Sequence, residues 1–397
     1  MLSFTGKGIK FPAVLPEGKE IRSWPLPDEL FVPLCPPTGE RTRLLVSAGM
    51  HIERYASLAE GEHLSVYAPF SGTVAGFVRR KMAGELQLLA RLIPDAQQPA
   101  AKVYASAERP DWDRLLSCAG TASILEMFSG RPLFSQLERL PEVRRFVICT
   151  VDNGPQAVSS AAVLGCFFRE IVSAAGWLAA ATGAHYSFAI GNPYVKAGLK
   201  SRYPDADICL AGRRYPARWF LRRKFGPDVL FLDAVSLLHL FRAVAYGHPA
   251  VSSFVSVSGN GTSAVWEVPV GTLCGSLFPS FSSEEGRIVS GEGISGIVCA
   301  PDTPVTMTTT CVALLPERPQ VSTDCIGCGL CCRVCPAGVY PLFVWEGALQ
   351  KDPRAADYGA ERCIGCDACS YICPARLPLS RTVQRVKTAM EEETANV

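Results

Sequence analysis

"CIGCGLCCRVCP", Cys325 to Pro336, returns 38 positions later as "CIGCDACSYICP", Cys363 to Pro374. Both copies read C-x2-C-x2-C-x3-C-P, the spacing that holds [4Fe–4S] clusters in bacterial two-cluster ferredoxins. Three cysteines at two-residue intervals wrap one turn of chain around a corner of a cubane. The fourth, followed by proline, points the other way and completes the second cubane. The spacing therefore assigns Cys325, Cys328, Cys331 and Cys373 to one iron–sulfur cluster, and Cys363, Cys366, Cys369 and Cys335 to the other. Gly327 and Gly365 let backbone amides approach the sulfurs, where N–H···S hydrogen bonds raise the potential. Pro336 and Pro374 end each motif, since proline cannot extend the preceding helical turn. Structural zinc is the alternative, but it usually takes two Cys pairs separated by a longer loop. Cys332 is a further thiol that would ligate only in place of Cys331. The second copy has Ser370 at the equivalent position, which favours a non-ligand.

A ferredoxin needs about sixty residues, yet this chain has 397, enough for two to four domains. Hydrophobic residues make up 48% and charged residues 19%, a globular composition with well-filled cores. A formal net charge of +2 without a long basic run argues against nucleic acid and against an anionic membrane surface as partners. Eight of the 17 cysteines lie in the two motifs, and the other nine are scattered, apart from Cys332 beside Cys331. Scattered cysteines read as small buried hydrophobes rather than a disulfide framework. Together with the cluster motifs they point to a reducing, cytoplasmic setting. The opening "MLSFTGKGIKFPAVLPEGKE" lacks the apolar core of a signal peptide. The most apolar stretch, "AAVLGCFFREIVSAAGWLAAATGA" from Ala161, carries Arg169 and Glu170. In a membrane each would cost roughly 2.5–3.5 kcal/mol, so a buried helix of an α/β domain is expected instead.

The first hundred residues are expected to be β-rich, with short runs such as "HLSVYAP" and "GTVAGFV" between Gly, Pro and polar turns. This pattern resembles lipoyl- and biotin-carrier folds, but the loop "LAEGEH" offers no lysine to carry a swinging arm. From about Asp111 to Pro249, "RFVICTV" (Arg145–Val151) and "DVLFLDAV" (Asp228–Val235) are continuous apolar runs among helical patterns, which is the texture of a parallel βαβ sheet. Ser252–Phe278 reads as a strand, a turn, a second strand and a short helix. The segment from "APDTPVTMTTT" to "LLPERPQVSTD" reads as an extended Pro/Thr-rich connection. The end of the chain, "SRTVQRVKTAMEEETANV", reads as an amphipathic helix with a polar tail.

This order of segments resembles the C subunit of the Rnf electron-transport complex, a relative of the NADH-binding flavoprotein subunit of respiratory complex I. "FTGKGIKFP" is similar to that family's opening F-x-G-G-I-H-P-P. "ELFVPLCPPTGERTRLLVSAGMHIERYASLA…VYAPFSGTV" is similar to its barrel-sandwich segment. "VSSFVSVSGNGTSAVWEVPVGTLCGSL" is similar to its soluble-ligand-binding β-grasp (SLBB) domain, down to the closing V-P-x-G-T. The resemblance implies a multidomain α+β fold. Its parts would be an N-terminal β barrel-sandwich hybrid (1–105), a Rossmann-like α/β domain (106–250) and a small SLBB-like β-grasp domain (251–300). A linker (301–319), a ferredoxin-like α-helical domain with two [4Fe–4S] clusters (320–380) and a C-terminal helix and tail (381–397) would follow.

The middle domain departs from the family. Its flavin- and nucleotide-cradling loop, G-x-G-G-A-G-F-P-T, aligns with "LLSCAGTASILEMFSGRPLF" (Leu115–Phe134), where only Ala119 and Gly120 echo it and Thr121, Ala122 and Ser123 replace further glycines. Side chains obstruct the positive φ and the close backbone approach that such a loop needs. The family's E-C-E-P becomes "DNGP": Asp152 and Pro155 match, while Asn153 and Gly154 do not. Y-P-S-G-G-A-K-Q-L becomes "RYPARWFLRRKFGP", keeping Tyr215 and Pro216, and G-G-P-L-M-G becomes "SGEGISGI" (Ser290–Ile297). The Rossmann-like scaffold is thus expected without FMN or NADH binding. Arg213, Arg214, Arg218, Arg222, Arg223 and Lys224 fall within twelve residues. They suit a phosphate or an acidic redox partner, or more simply a solvated helix face with Trp219 and Phe220 packed inward. His51 and His63 have no carboxylate or Cys at ligand spacing and are expected to be satisfied or exposed. The glycines of "SVSGNGTSA" lie between two strands and read as a turn.

Three functions compete on this reading. The first is an electron-transfer subunit that relays single electrons between a partner redox protein (a ferredoxin, a flavoprotein or a membrane electron-transport subunit) and a larger complex, docked peripherally at the cytoplasmic face of the inner membrane. The second is a flavoprotein oxidising NADH at a divergent FMN site, and the third an assembly or sensory module with structural clusters. The motif losses favour the first.

Overall fold

The computed structural model describes residues 8–11, 17–82, 84–99, 109–127, 129–154, 156–259, 262–279, 286–291, 293–317 and 324–395. It is a mixed α/β, multidomain chain with several sheets. Pro155, most of "FTGKGIKFP" and the Asn260–Gly261 turn lie outside the described residues.

A long hairpin, Gly72–Met82 with Glu85–Pro94, pairs antiparallel from Gly72↔Pro94 to Met82↔Glu85. Leu30–Pro33 and His51–Ile52 flank it in a four-stranded sheet, and Arg43–Leu44, Ser57–Glu60 and Ser65–Tyr67 form a three-stranded one. Leu30, Val32, Leu58, Val74 and Leu92 are fully withdrawn from solvent in the core they share, while Leu86 stays exposed. The lysine-free loop joins two of the short strands.

The next part of the chain builds a four-stranded parallel sheet. In spatial order it runs Ile208–Leu210, His185–Ile190, Arg145–Thr150, Val229–Asp233. In chain order that is third, second, first, fourth, so the winding reverses between Arg145–Thr150 and Val229–Asp233. Such a reversal opens a crevice at the carboxyl ends of the strands, the usual ligand position in doubly wound sheets. Continuous apolar strands follow from burial on both faces. Phe146 and Ile148 face the main core, and Val147 and Cys149 face Ala217 and Leu221 on the other side. Two of the four strands match the apolar runs Arg145–Val151 and Asp228–Val235. His185–Ile190 and Ile208–Leu210 are additional. The apolar stretch from Ala161 is two helices, Ser159–Cys166 and Phe168–Thr182, bent by 87° at Phe167 rather than one buried helix. Among the described residues no single helix is long and apolar enough to cross a membrane. Arg169 reaches solvent while Ile171, Ala174, Ala175 and Leu178 are buried.

The third sheet is mixed and six-stranded, in the order Ile297–Val298, Arg287–Ser290, Cys311–Leu315, Ser252–Gly259, Thr262–Pro269, Glu17–Ser23. Two of its strands differ from the expectation. Cys311–Leu315 lies within the segment read as an extended connection, yet it is the central strand that pairs parallel with Ser256–Ser258 and antiparallel with Arg287–Ser290. Its flanking prolines and threonines hid five apolar residues, of which Cys311, Val312 and Ala313 are buried. Glu17–Ser23 leaves the N-terminal sheets and caps the edge beside Thr262–Pro269. The chain closes with short helices and the helix Leu379–Ala395, which packs on the helix Pro341–Gln350.

Candidate metal centre

The two cysteine motifs fold alike. In each, a glycine in the left-handed region (Gly327 and Gly365, both φ 65°) turns the chain between the first two cysteines. A second left-handed residue, Gly329 or Asp367, then starts a single helical turn, Leu330–Val334 or Ala368–Ile372. Asp tolerates this conformation better than most side chains. Each turn ends at the fourth cysteine in an extended conformation, with ψ 115° at Cys335 and 117° at Cys373, and proline follows. The last cysteine of each motif is thereby directed away from its own loop.

The consequence is a crossed arrangement. One cavity is lined by Cys325, Cys328, Cys331 and Cys373, with Leu342, Leu377 and Leu379. The other is lined by Cys335, Cys363, Cys366 and Cys369, with Val339 and Val383. Among the described residues, no three His, Cys, Asp or Glu side chains converge where a single ion would sit; the cysteines line cavities instead. The Gly327 amide donates to Cys325 Sγ at 3.4 Å. Burial pushes the Cys366 thiol up to about 11, with Cys335 and Cys363 adding to the rise. Burial, then Cys366 and Cys335, raises Cys369 as well. Four crowded thiols in apolar surroundings disfavour thiolates unless cationic iron shares the cavity, so the donor sets fit iron–sulfur clusters. Cys332 lies 3.9 Å from Cys331 and lines neither cavity. The C-terminal helix belongs to this module: Leu379 reaches one cavity, and Ser380 and Val383 reach the other.

The two cavities are placed differently. Tyr215, buried at the end of the parallel-sheet domain, donates its hydroxyl to the Cys366 carbonyl at 2.6 Å. Ile9–Lys10 pairs with Arg214–Tyr215, and Gly8 N donates to Val334 O at 2.8 Å. Ile9, Phe11, Tyr215, Val334 and Ala368 close a shared core. At the other cavity Cys328 is exposed and Ile326 is 66% exposed. Tyr215→Phe removes the donor to a part-buried carbonyl, which is expected to cost about 1 kcal/mol. Faster amide exchange over Ala368–Ile372 at unchanged iron content is the expected signature; unchanged exchange would show that this bond does not anchor the module.

At the carboxyl ends of the parallel strands the chain buries charged side chains of its own, Arg213 and Asp233. Arg213, 6% exposed, donates to the carbonyls of Gly154 (3.1 Å) and Ala157 (3.4 Å). Burial lowers its guanidinium and the Asp152 carboxylate opposes that. Burial in turn raises Asp152 to about 6 against the pull of Arg213. Across the crevice Asp233, 2% exposed, accepts from Ser236 N (2.8 Å) and Met127 N (3.0 Å). Burial first, then Glu126, pushes it up to about 6. Gly191 packs so closely that a β-carbon there would meet Arg213 Cγ at 3.3 Å. Of the stretch aligned with the flavin-cradling loop (Leu115–Phe134), residues 115–121 belong to the helix Trp112–Thr121, which holds Ala119 and Gly120 inside it. Ser123 takes φ 52° and accepts from Ser65 N at 2.8 Å, which ties that turn to the strand Ser65–Tyr67. These residues do not fit a flavin or nucleotide phosphate.

The basic stretch divides rather than forming one face. Arg213 turns inward, and Arg214 stacks on Phe220 at 5.1 Å. Arg218 lies 3.9 Å from Glu126, while Arg222, Arg223 and Lys224 are exposed in the last turn of the helix Ala217–Phe225. There they complement the helix dipole. Ala217 and Leu221 are the fully buried positions of this helix; Trp219 and Phe220 are half-buried, with the Trp219 indole nitrogen withdrawn from solvent. His51 does have a carboxylate partner in space, Asp95 at 2.9 Å, in an exposed pair that 44 positions of sequence separation hid. His63 lies tilted against Phe134, with ring centroids 5.8 Å apart.

A 4Fe-4S dicluster domain family matches residues 324–377. The C subunit of the ion-translocating oxidoreductase complex of Edwardsiella ictaluri is 25% identical over 410 aligned positions, covering 89% of this chain and 50% of that protein. Its counterpart from Rhodobacter capsulatus is 33% identical over 225 positions, covering 52% of this chain and 42% of that one. The chain spans about half the length of the curated relatives it matches. Among solved structures, an NAD+-reducing [NiFe]-hydrogenase in the air-oxidized state is 15% identical with a TM-score of 0.41, over 71% of this chain and 53% of that one. The chain is thus similar along most of its length to the C subunits of ion-translocating oxidoreductase complexes, and residues 324–377 form a 4Fe-4S dicluster domain.

Proposed function

We propose that this chain is an iron–sulfur electron-transfer subunit of an Rnf-type oxidoreductase complex, with one [4Fe–4S] cluster on Cys325, Cys328, Cys331 and Cys373 and a second on Cys335, Cys363, Cys366 and Cys369. The observation that carries this reading is the pair of cavities, each lined by three cysteines of one motif and the last cysteine of the other. Such clusters, when bound, accept and release single electrons at potentials set by hydrogen bonds, burial and solvent exposure. The chain's own part is to supply eight thiolates, to exclude water with Leu342, Leu379 and Val383, and to aim the Gly327 amide at Cys325. The site bonded to Tyr215 is the inner one. The site beneath exposed Ile326 and Cys328 presents its edge to solvent and is the port for a partner redox protein. The relatives are named for an ion-translocating oxidoreductase complex, and we infer peripheral docking of this chain on such a complex from the cytoplasmic side. Arg213 and Asp152 occupy the crevice where a doubly wound sheet would take a nucleotide, so we infer that FMN and NADH are not bound there and that electrons enter from a partner.

The test is anaerobic reconstitution of the full chain followed by iron, sulfide and flavin analysis and a dithionite titration read by EPR. About eight irons and eight sulfides per chain, reducible in two one-electron steps, are expected. Zinc in their place, or clusters silent over roughly −700 to +450 mV, would overturn the electron-transfer reading. Bound flavin with NADH-dependent bleaching would overturn the inference about the crevice.

A further inference from the structure

The two cysteine cavities differ in the charge around them. Among the described residues, the outer one, between Cys325, Cys328, Cys331 and Cys373, has no charged side chain in its lining, and Gly329 stands where its helical turn begins. The inner one has Asp367 at the equivalent place, lining the cavity beside Cys366. A second charge reaches the inner site from the C-terminal helix. Lys387 Nζ donates to the Cys363 carbonyl at 3.0 Å.

Helix geometry explains why this lysine arrives there. Ser380, Val383 and Lys387 are three and four positions apart, so they share one face of the helix Leu379–Ala395. Ser380 and Val383 line the inner cavity, and Lys387 stands one turn beyond Val383 with its side chain 31% exposed. Gln384 Nε2 donates to Ser380 Oγ at 3.0 Å, and a β-carbon on Gly365 would lie 3.5 Å from that nitrogen. The helix thus fits closely over the second motif. Arg362, the neighbour of Cys363 in sequence, is paired with Glu361 at 3.2 Å, and Glu391 offsets Lys387 only from 3.8 Å, in an exposed position.

An electron added to a cluster is stabilised by a positive charge nearby and opposed by a negative one, and net charge is among the quantities that set such potentials. The Cys363 thiol registers both charges. Burial raises it, Lys387 pulls it down, and Asp367, with less weight, pushes it up again. Asp367 acts in the same direction on Cys366, where burial is again the larger effect.

We propose that Lys387, acting through Cys363, raises the reduction potential of the inner [4Fe–4S] cluster, that Asp367 lowers it, and that the outer cluster is free of this control. The proposal rests on the iron–sulfur reading above. It gives the chain a way to set the energy step between its two sites with side chains outside the ligand set.

The test is a mediated redox titration of the reconstituted full chain with dithionite, read by EPR, comparing Lys387→Gln, Lys387→Arg and Asp367→Asn. The inner signal is the one that Cys369→Ser removes. In Lys387→Gln, at the midpoint of the unsubstituted chain, the ratio of reduced to oxidised inner cluster is expected to fall roughly tenfold, a shift of about 59 mV to lower potential for one electron. Lys387→Arg keeps a cation on that face and should hold the midpoint near its original value. Asp367→Asn should move the inner midpoint upward, and Asn tolerates the left-handed backbone at this position, φ 58°. The outer midpoint is expected to stay in place in all three. Iron content and thermal melting report folding, and Asp367→Asn, which leaves the Lys387 bond intact, supplies the sign if Lys387→Gln does not hold iron. An inner midpoint unmoved in either charge-removing variant, a downward shift in Asp367→Asn, or equal movement of both midpoints would each overturn the proposal while the cluster reading stands. An unsubstituted chain without two reducible clusters would overturn both.

Discussion

Cys335→Ser and Cys369→Ser are expected to give the same residual spectrum, and Cys373→Ser and Cys325→Ser the other one. Each variant should retain about four irons per chain instead of about eight, because a serine hydroxyl replaces one soft thiolate at one iron of one cluster. The crossing is the informative part. Cys335 lies ten residues from Cys325 in the chain and 28 from Cys363, yet it lines the cavity of Cys363, Cys366 and Cys369. Its thiol also acts electrostatically on all three. Cys332→Ser is expected to leave both clusters and the full iron content intact, since that thiol lines neither cavity. EPR of the dithionite-reduced variants reads the outcome. A Cys335→Ser spectrum that matched Cys325→Ser would sink the crossed assignment, and loss of iron in Cys332→Ser would return that residue to the ligand set.

Arg213→Ala carries the largest expected cost outside the cluster module. The guanidinium is buried, bridges the carbonyls of Gly154 and Ala157, and faces Asp152. Removing one member of a buried charged set leaves the others uncompensated, an effect of about 3–5 kcal/mol. Arg213→Lys should recover only part of this, because one ammonium on a flexible stem does not reproduce a planar fork. Hydrogen exchange over residues 152–160 is expected to accelerate strongly, together with a lower melting temperature of the parallel-sheet domain, while the iron content stays unchanged. Protection at 152–160 equal to that of the unsubstituted chain would show that Arg213 does not hold this segment across the crevice.

The candidate metal residues were legible in the chain because cluster ligation is local. Four cysteines within eleven residues, two glycines and two C-P ends constrain the backbone with little help from elsewhere. The apolar runs Arg145–Val151 and Asp228–Val235 were legible for a related reason: strands buried on both faces show unbroken hydrophobicity. Other elements were obscured by competing signals. Cys311–Leu315 is five residues long between prolines and threonines, and only its partners Ser252–Gly259 and Arg287–Ser290 make it a strand. The stretch from Ala161 is apolar throughout, so periodicity did not reveal the bend at Phe167.

The sequence by itself determined the chemistry of the C-terminal module, its eight candidate cysteines and the departure of the middle domain from glycine-rich phosphate loops. Tertiary structure decided which of those features meet. It turned Arg213 out of a basic run and inward against the segments that follow the first and second parallel strands. It brought the Tyr215 hydroxyl to the Cys366 carbonyl across 151 positions of sequence. It also gathered Arg54, His239 and Glu267 from distant parts of the sequence around one space. The physical reason is range. Ligand spacing and backbone turns act over a few residues and are written into neighbouring letters. Burial, desolvation and unpaired polar atoms depend on what the rest of the chain places alongside.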